Sequence, residues 1–579
     1  MCGIYGQIST SKIDRNDFKK NLSKLNHRGP DDSGIFIDAN IAFGHTRLSI
    51  LDLSTSGHQP MIDLNEKYVI IFNGEIYNFN EIKNNLQKKG YIFNSNSDTE
   101  VILYGFIEYG EKIVEKIKGM FAFTIYNKET QKIFLARDHM GIKPLYYFKD
   151  NDNFIFSSEL KCLKNYSNGI NSDSKILFLS LGSVPEPLTI YEQIFSFPKG
   201  HYGYFSKNEL KITKYYQDEY EPKMSESYSD IVQNTKELLH KSVERHLISD
   251  APIGTFLSGG LDSSAITAIA AQYKSDLHTL SLDFHEKGLS EKYYQELIVK
   301  KYNTNHTNYI IDEKIFLENI HQFIASLDQP TVDGLNTYFV SKAAIDSGLK
   351  AVLSGVGGDE IFYGYASFKM AKKINALNIL PLPLIDLITK NKKLSKLDYL
   401  RVGGDISKYL PVRTVFTPIE IAKILDISVE DVYRVLRNNL NQFNELNIKN
   451  FDDKISFFEL NLYMKNQLLK DSDIFGMANS LEIRVPLLDK DLVDYVLKIN
   501  PKHKYRKKIN KSLLADATKD LVPSEIINRK KRGFELPFKY WLQSNIHDFE
   551  IDQSVKNDFI DGKIHYSKVW SLFIINNFS

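Results

Sequence analysis

The 579 residues carry 73 Lys and Arg against 72 Asp and Glu, a net charge of +1, with 42% hydrophobic and 25% charged side chains. That length exceeds one ordinary core, so two or more domains are expected, and the balanced charge argues against nucleic acid or a membrane surface as partner. No apolar run nears the roughly 20 residues of a membrane span, no secretory leader opens the chain, and Cys2 and Cys162 make neither a disulfide framework nor a metal pattern, so a cytoplasmic, reduced protein is expected.

In chain order, residues 1–215 hold short β-type runs at 41–43, 68–72, 121–126, 132–136, 153–157 and 203–205. Helical patterns at 18–26, 80–89 and 100–109 interrupt them. This predicts an α+β domain of stacked antiparallel sheets. Residues 216–228 are polar and acidic around Pro222 and read as a linker. The second domain, 229–579, opens with a helix at 231–247, a strand at 253–257, a Gly-rich turn and a helix at 263–272. A strand at 279–284, helices at 292–301 and 336–347, and a strand at 350–353 follow. Strands alternating with helices predict an α/β parallel sheet covered on both faces, and the part beyond about residue 368 is mostly helical.

Cys2 becomes the first residue if Met1 is removed. A thiol near pKa about 8.5 and an α-amine near about 7.7–8.0 would then share one residue, so the amine can serve as the thiol's base. Further blocks accompany it: His27-Arg28-Gly29-Pro30-Asp31, the run from His45 to Ile50, Asn73-Gly74-Glu75-Ile76-Tyr77-Asn78, Ser97-Asp98-Thr99-Glu100 and Gly119-Met120-Phe121-Ala122. Taken singly, Arg47 is a surface ion-pair residue and Asn73-Gly74 a hairpin turn signal. Together, in order and spacing, the blocks resemble the class II glutamine amidotransferase domain, an N-terminal-nucleophile sandwich. The resemblance implies Cys2 as nucleophile, with the Asn73 side chain and the Gly74 N–H as the oxyanion hole. It further implies glutamine binding by Arg47, Leu48, Ser49, Ile50, Leu51, Asn73, Gly74, Glu75 and Asp98. In that set, Arg47 offers a fork to the α-carboxylate, and Glu75 and Asp98 offer negative charge to the α-ammonium.

The strand at 253–257 runs into Ser258-Gly259-Gly260-Leu261-Asp262-Ser263-Ser264 and then a helix. Glycine N–H groups, a helix N-terminus and hydroxyls make an anion cradle, and Asp262 suits such a cradle if it holds Mg²⁺ on phosphate oxygens. The chain lacks GxxxxGK[ST]. The loop instead resembles the pyrophosphatase loop of ATP enzymes that form an acyl-adenylate. A second Gly-rich block, Ser354-Gly355-Val356-Gly357-Gly358-Asp359-Glu360, also follows a strand; the blocks from Ser480 to Asp489, from Lys508 to Lys511 and from Arg529 to Pro537 complete the set.

Over almost its whole length the chain resembles the glutamine-hydrolysing asparagine synthetase family. By that resemblance Leu257, Ser258, Gly260, Asp262, Ser263, Leu282, Ser354 and Gly355 hold ATP, Asp262 and Asp359 hold Mg²⁺, and Lys511, with Lys508 beside it, acts on the α-phosphate and leaving pyrophosphate. Ammonia would cross to the acyl-adenylate through an apolar passage near Arg28, Met120, Ile142 and Leu257. The expected partners are small molecules (glutamine, ATP, and aspartate or another carboxylate), and a homodimer is allowed. Two departures bear on the acceptor: Val356 stands where aspartate-amidating members usually have glutamate, and Ile474 where arginine is common. Glu360 and Asp333 are the candidate substitute bases. An acceptor such as a sugar acid of a surface polysaccharide is the alternative to aspartate.

Overall fold

The computed structural model describes residues 2–220, 226–286, 288–376, 382–444, 446–505, 510–531, 533 and 536–578. The first half holds strands β1 (Gly3–Ser9), β2 (Asp32–Asp38), β3 (Ile41–Arg47), β4 (Met61–Ile62), β5 (Tyr68–Ile76), β6 (Gly119–Asn127) and β7 (Lys132–Arg137). It continues with β8 (Tyr146–Lys149), β9 (Asn153–Ser157), β10 (Ile194–Ser196), β11 (His201–Ser206) and β12 (Glu209–Lys214). They form two six-stranded sheets, β10-β8-β9-β1-β3-β2 and β12-β11-β7-β6-β5-β4, antiparallel throughout.

Alternation along each strand decides the layering. Ile4, Ile41, Phe43, Val69, Ile71, Leu135, Phe154 and Phe156 meet between the sheets. Their neighbours Ile70, Phe72, Phe121, Phe123 and Phe134 face outward, onto the helices Phe79–Gln87 and Asp98–Tyr109. The helix Arg15–Ser23 covers the other sheet with Phe18 and Leu22, against Tyr5 and Ala42. The result is the expected sandwich of two sheets between helical layers.

The second half is built on a parallel sheet of β13 (Ile253–Phe256), β14 (His278–Phe284), β15 (Asn305–Ile311), β16 (Ala351–Leu353) and β17 (Glu482–Arg484). Its order, β15-β14-β13-β16-β17, runs outward in both directions from β13. Successive strands therefore leave on opposite sides of the β13–β16 pair, and this switch point opens a crevice at the carboxyl ends of those two strands. The two Gly-rich loops are the segments that leave β13 and β16 there.

Residues 216–220, expected as linker, are held by both halves. Tyr216 donates to Asp494 Oδ1 at 2.8 Å, Asp218 pairs with Lys199 at 2.8 Å and accepts from Asn461 at 3.0 Å, and Tyr220 is buried. A buried charge cluster also reaches across the interface: Glu186 pairs with Arg137 of its own half at 2.9 Å, and Lys465 of the second half approaches the same carboxylate at 3.4 Å. Among the described residues no helix is long and apolar enough to cross a membrane.

Candidate active sites

The first candidate site lies where β1 and β5 meet across the sandwich. Cys2, one residue before β1, is buried, and its main-chain N–H donates to Asn73 Oδ1 at 3.0 Å. That bond turns the Asn73 amide so that its Nδ2 is buried with no hydrogen-bond partner. An orphaned donor on the side chain that holds the Cys2 nitrogen is what a developing oxyanion requires. Gly74 follows at φ +151, and a Cβ there would come within 2.0 Å of the Met120 carbonyl; only glycine lets β5 lie against β6 at this turn in direction. Burial pushes the Cys2 thiol above its ordinary pKa, against the pull of the Leu48 backbone and Arg47. Cys162, also free and buried, donates to Asn21 O at 3.3 Å, far along the chain from these groups.

The loop after β3 wraps its own arginine. Arg47 donates to the carbonyls of Ser54 at 2.8 Å, Leu51 at 3.2 Å and Asp52 at 2.5 Å. In this structure its fork thus shapes the wall formed by Leu48, Ser49, Ile50 and Leu51, all of them buried. Ser49 N–H donates to Asp31 at 2.7 Å, and the Ile50 carbonyl accepts from Asp250 of the second half at 2.9 Å. Glu75 and Asp98 sit deeper. Asp98 accepts the Ile76 N–H at 2.9 Å, and Glu75 lies 3.5 Å from Arg484, whose Nε meets Glu482 at 2.6 Å. Burial first, then the charge of Glu482, pushes Glu75 well above the carboxylate range, and its Oε2 has no hydrogen-bond partner.

The second candidate site is a cavity of about 690 Å³ at the switch point. Its lining brings together Leu257, Ser258, Gly260, Asp262, Ser263, Leu282, Ser354, Gly355, Asp359 and Lys511. Gly260 caps the helix Leu261–Tyr273, and the Ser263 hydroxyl lies 3.0 Å from that of Ser258, closing the first loop on itself. Gly355 lets the second loop approach so closely that a Cβ there would lie 3.1 Å from the Ser263 nitrogen. Between the loops the Lys511 ammonium contacts Asp262, and it meets Asp359 at 2.6 Å; Lys531 contacts Asp359 from the far side. Burial works against the Lys511 charge, but Asp262 and then Asp359 outweigh it and raise its pKa. Asp262 Oδ1 is buried without a hydrogen-bond partner, and a Cβ on Gly364 would fall 1.9 Å from Asp359 Oδ1. Lys508 lies outside the described residues.

Val356, Glu360 and Asp333 all line this cavity. Glu360 accepts from Tyr365 at 2.8 Å, and burial, then Asp359, raises it to about 7. Ile474 does not share that wall. It sits in the interface, with Ile142, Arg137, Tyr146 and Asp473 around a void of about 10 Å³, because its helix presents that face to the first half. Lys531 and Arg413 are among the lining residues for which no individual role was expected. Lys531 lies in the basic segment that was singled out, but its carboxylate partner is 172 residues away. Arg413, paired with Glu459 at 2.7 Å and set against Tyr463 at 3.9 Å, belongs to no motif.

An apolar cluster joins the two sites. Leu48, Ile50, Met120, Met140 and Ile142 of the first half pack with Leu460, Met464, Leu487 and Leu488 of the second, and Val356 lies against the same cluster. Leu257 packs in a separate group with Ala265 and Ile298.

The chain thus has two parts, an antiparallel sandwich with one candidate site and a parallel-sheet domain with the other. Residues 1–216 match the glutamine amidotransferase domain family, and residues 234–564 match the asparagine synthase family. The chain is 32% identical to asparagine synthetase (glutamine-hydrolyzing) 1 of Bacillus subtilis (strain 168), covering 99% of this chain and 92% of the relative. It is 31% identical to asparagine synthetase (glutamine-hydrolyzing) 3 of the same organism, over 92% and 87%. A solved structure of glutamine phosphoribosylpyrophosphate amidotransferase from B. subtilis is 15% identical, over 61% of this chain and 81% of that one, with a TM-score of 0.30. The chain belongs to the asparagine synthase family. It is an enzyme of the glutamine-hydrolysing asparagine synthetase type, a carbon–nitrogen ligase that uses ATP.

Proposed function

We propose that the chain amidates aspartate to asparagine through an acyl-adenylate, turning glutamine and ATP into glutamate, AMP and pyrophosphate. Residues 1–215 free the ammonia, residues 229–579 activate the acceptor, and 216–228 join them. The observation that carries this reading is the meeting of both Gly-rich loops with Asp262, Asp359 and Lys511 in one cavity.

With Met1 removed, the Cys2 nitrogen that now donates to Asn73 becomes an amine beside the thiol and takes its proton. The thiolate attacks the glutamine side-chain amide, and Asn73 Nδ2 and the Gly74 N–H receive the oxyanion. As it collapses, the Cys2 α-ammonium returns its proton to the leaving nitrogen, ammonia departs, and water hydrolyses the thioester to glutamate and the free thiol. Arg47, Glu75 and Asp98 hold the α-carboxylate and α-ammonium. In the second half the acceptor carboxylate attacks the α-phosphorus of ATP and pyrophosphate leaves. Ser258, Gly260 and Ser263 cradle the phosphates, while Leu257, Leu282, Ser354 and Gly355 flank the adenosine. Mg²⁺ needs only one or two protein carboxylates beside phosphate oxygens and water. Asp262, with its orphaned oxygen, and Asp359 fit that demand, and the ion would neutralise charge on the leaving pyrophosphate. Lys511 adds a buried positive charge at the same place. Ammonia then forms the C–N bond as AMP departs, and the amide nitrogen loses a proton to Glu360 or Asp333.

Val356 favours a second reading. An apolar side chain in the cavity wall suits an acceptor other than aspartate, such as a sugar acid. Pyrophosphate release with ATP, with and without millimolar aspartate, separates the two. Stimulation supports asparagine synthesis; its absence sinks the aspartate assignment and leaves the amidotransferase build standing.

A further inference from the structure

Arg28 is the side chain through which the second half reaches Cys2. It is fully buried at the end of the short turn Asn26–Arg28. Its Nε donates to the main-chain carbonyl of Cys2 at 3.0 Å. Nη1 donates to Glu159 Oε1 at 2.9 Å and to Asp473 Oδ2 at 2.8 Å, and Nη2 donates to Asp473 Oδ1 at 3.1 Å. The two contacts to Asp473 make a fork-on-fork pair, which fixes the plane of the guanidinium as well as its charge.

The two carboxylates are not equivalent. Glu159 belongs to the first half and divides itself among His27, Arg28 and Lys161. Asp473 belongs to the helix Leu469–Ala478 of the second half and is 3% exposed. The same stretch of the second half grips the neighbouring residue too, since the Ser480 hydroxyl donates to the His27 carbonyl at 2.7 Å. The turn that carries Arg28 is therefore held from the partner half at two points.

Cys2 precedes β1 and is clamped on both sides of its Cα. Asn73 holds its nitrogen and Arg28 its carbonyl oxygen. Those two bonds fix the Cα from which Sγ projects. If one is lost, the Cα can pivot. A displacement of about 1 Å at a reacting atom can cost about 10²-fold in rate.

We propose that Asp473 is a positioning residue for glutamine cleavage: it holds Arg28, which holds Cys2, so that the second half completes the nucleophile site of the first. This rests on Cys2 being the nucleophile. The coupling is one-directional in its parts, because Asp473 is absent from the lining of the 690 Å³ cavity. Loss of Asp473 should therefore spare synthesis from free ammonia.

The test compares Asp473→Asn with wild type in the full chain. An amide offers the fork one acceptor instead of two. Glutamine cleavage should lose about 10²-fold in kcat, with the KM for glutamine within about twofold and synthesis from ammonium chloride unchanged. Asp473→Glu keeps the charge and should restore part of kcat. An Asp473→Asn enzyme that cleaves glutamine at the wild-type kcat, or that shifts KM alone, overturns the proposal. Cys2→Ala is run beside it. If Cys2→Ala still cleaves glutamine, the nucleophile reading has failed; if it is dead while Asp473→Asn is normal, only the present inference has failed. Should Asp473→Asn lose both activities through misfolding, Arg28→Lys keeps the charge without the fork. The same kcat-selective loss there supports the proposal, and wild-type glutamine cleavage or an equal loss of ammonium-dependent synthesis overturns it.

Discussion

Glu75, Asp98 and Glu482 crowd around the guanidinium of Arg484, in a pocket where all four side chains are buried. Burial raises Asp98 most, the charge of Glu482 adds to it, and the group arrives at about 7. An α-ammonium entering this pocket would relieve the crowding, and it binds the ionised carboxylate. The sign follows: a carboxyl with its pKa raised to about 7 is neutral below that pH and charged above it. The KM for glutamine should therefore fall as pH rises from 6 to 8, by at most about tenfold per pH unit on the acid side. In Asp98→Asn the amide oxygen can still accept the Ile76 N–H, so the fold is kept while the pH slope flattens. Steady-state KM against pH in both enzymes decides this; an unchanged slope in the variant removes Asp98 from ammonium binding.

At the scale of elements, the proposed ATP chemistry falls to the loops that leave β13 and β16, and the sheet order makes those two loops neighbours. Asp262, in the first turn of the helix after β13, and Asp359, on the short helix Gly358–Ile361, both meet Lys511, which comes from a third segment. Asp262→Asn should reduce pyrophosphate release at saturating ATP by several kcal/mol worth of charge stabilisation, roughly 10²-fold or more. Glutamine cleavage should be untouched, and normal pyrophosphate release from the variant would refute the Mg²⁺ role. Both Gly-rich loops were legible because each follows an apolar run and opens a helix, a local signal. The strands β5, β6, β7, β9 and β13 were legible for the same reason, being apolar runs bounded by turns. The edge strand β15 was not, since Asn305–Ile311 is mostly half-exposed and reads as polar. The three-residue β17 was recognised as a family block without its strand, because its pairing partner β16 lies over 100 residues away. Lys531 and Arg413 were missed on the same ground: their partners are distant in sequence, and single basic residues carry no local signature.

Across the whole molecule, the interface is both charged and apolar. Buried charges rim it: Arg28 with Asp473, and Arg137 and Lys465 with Glu186. Inside that rim the apolar cluster holds Leu48 and Ile50 with Met120, Ile142, Leu487 and Leu488, and Val356, which packs against it, lines the cavity. Free ammonia is largely protonated in neutral water and cannot then attack an acyl-adenylate. A path walled by apolar side chains, as this cluster is, would keep it neutral. Ile142→Asn should draw water into this path. Burying the amide there costs about 1–3 kcal/mol, a loss a chain of this size can bear. The rates of glutamine cleavage and of ammonium-dependent synthesis should stay near wild type, while the yield of amide per glutamate falls. Ile142→Leu, which keeps the path apolar, should preserve the yield. Counting glutamate against amide in one reaction, at saturating acceptor and ATP, gives the ratio directly. An Ile142→Asn enzyme that keeps the wild-type ratio would mean that ammonia does not travel by this cluster, and that the packing of Met120 and Ile142 serves the interface alone.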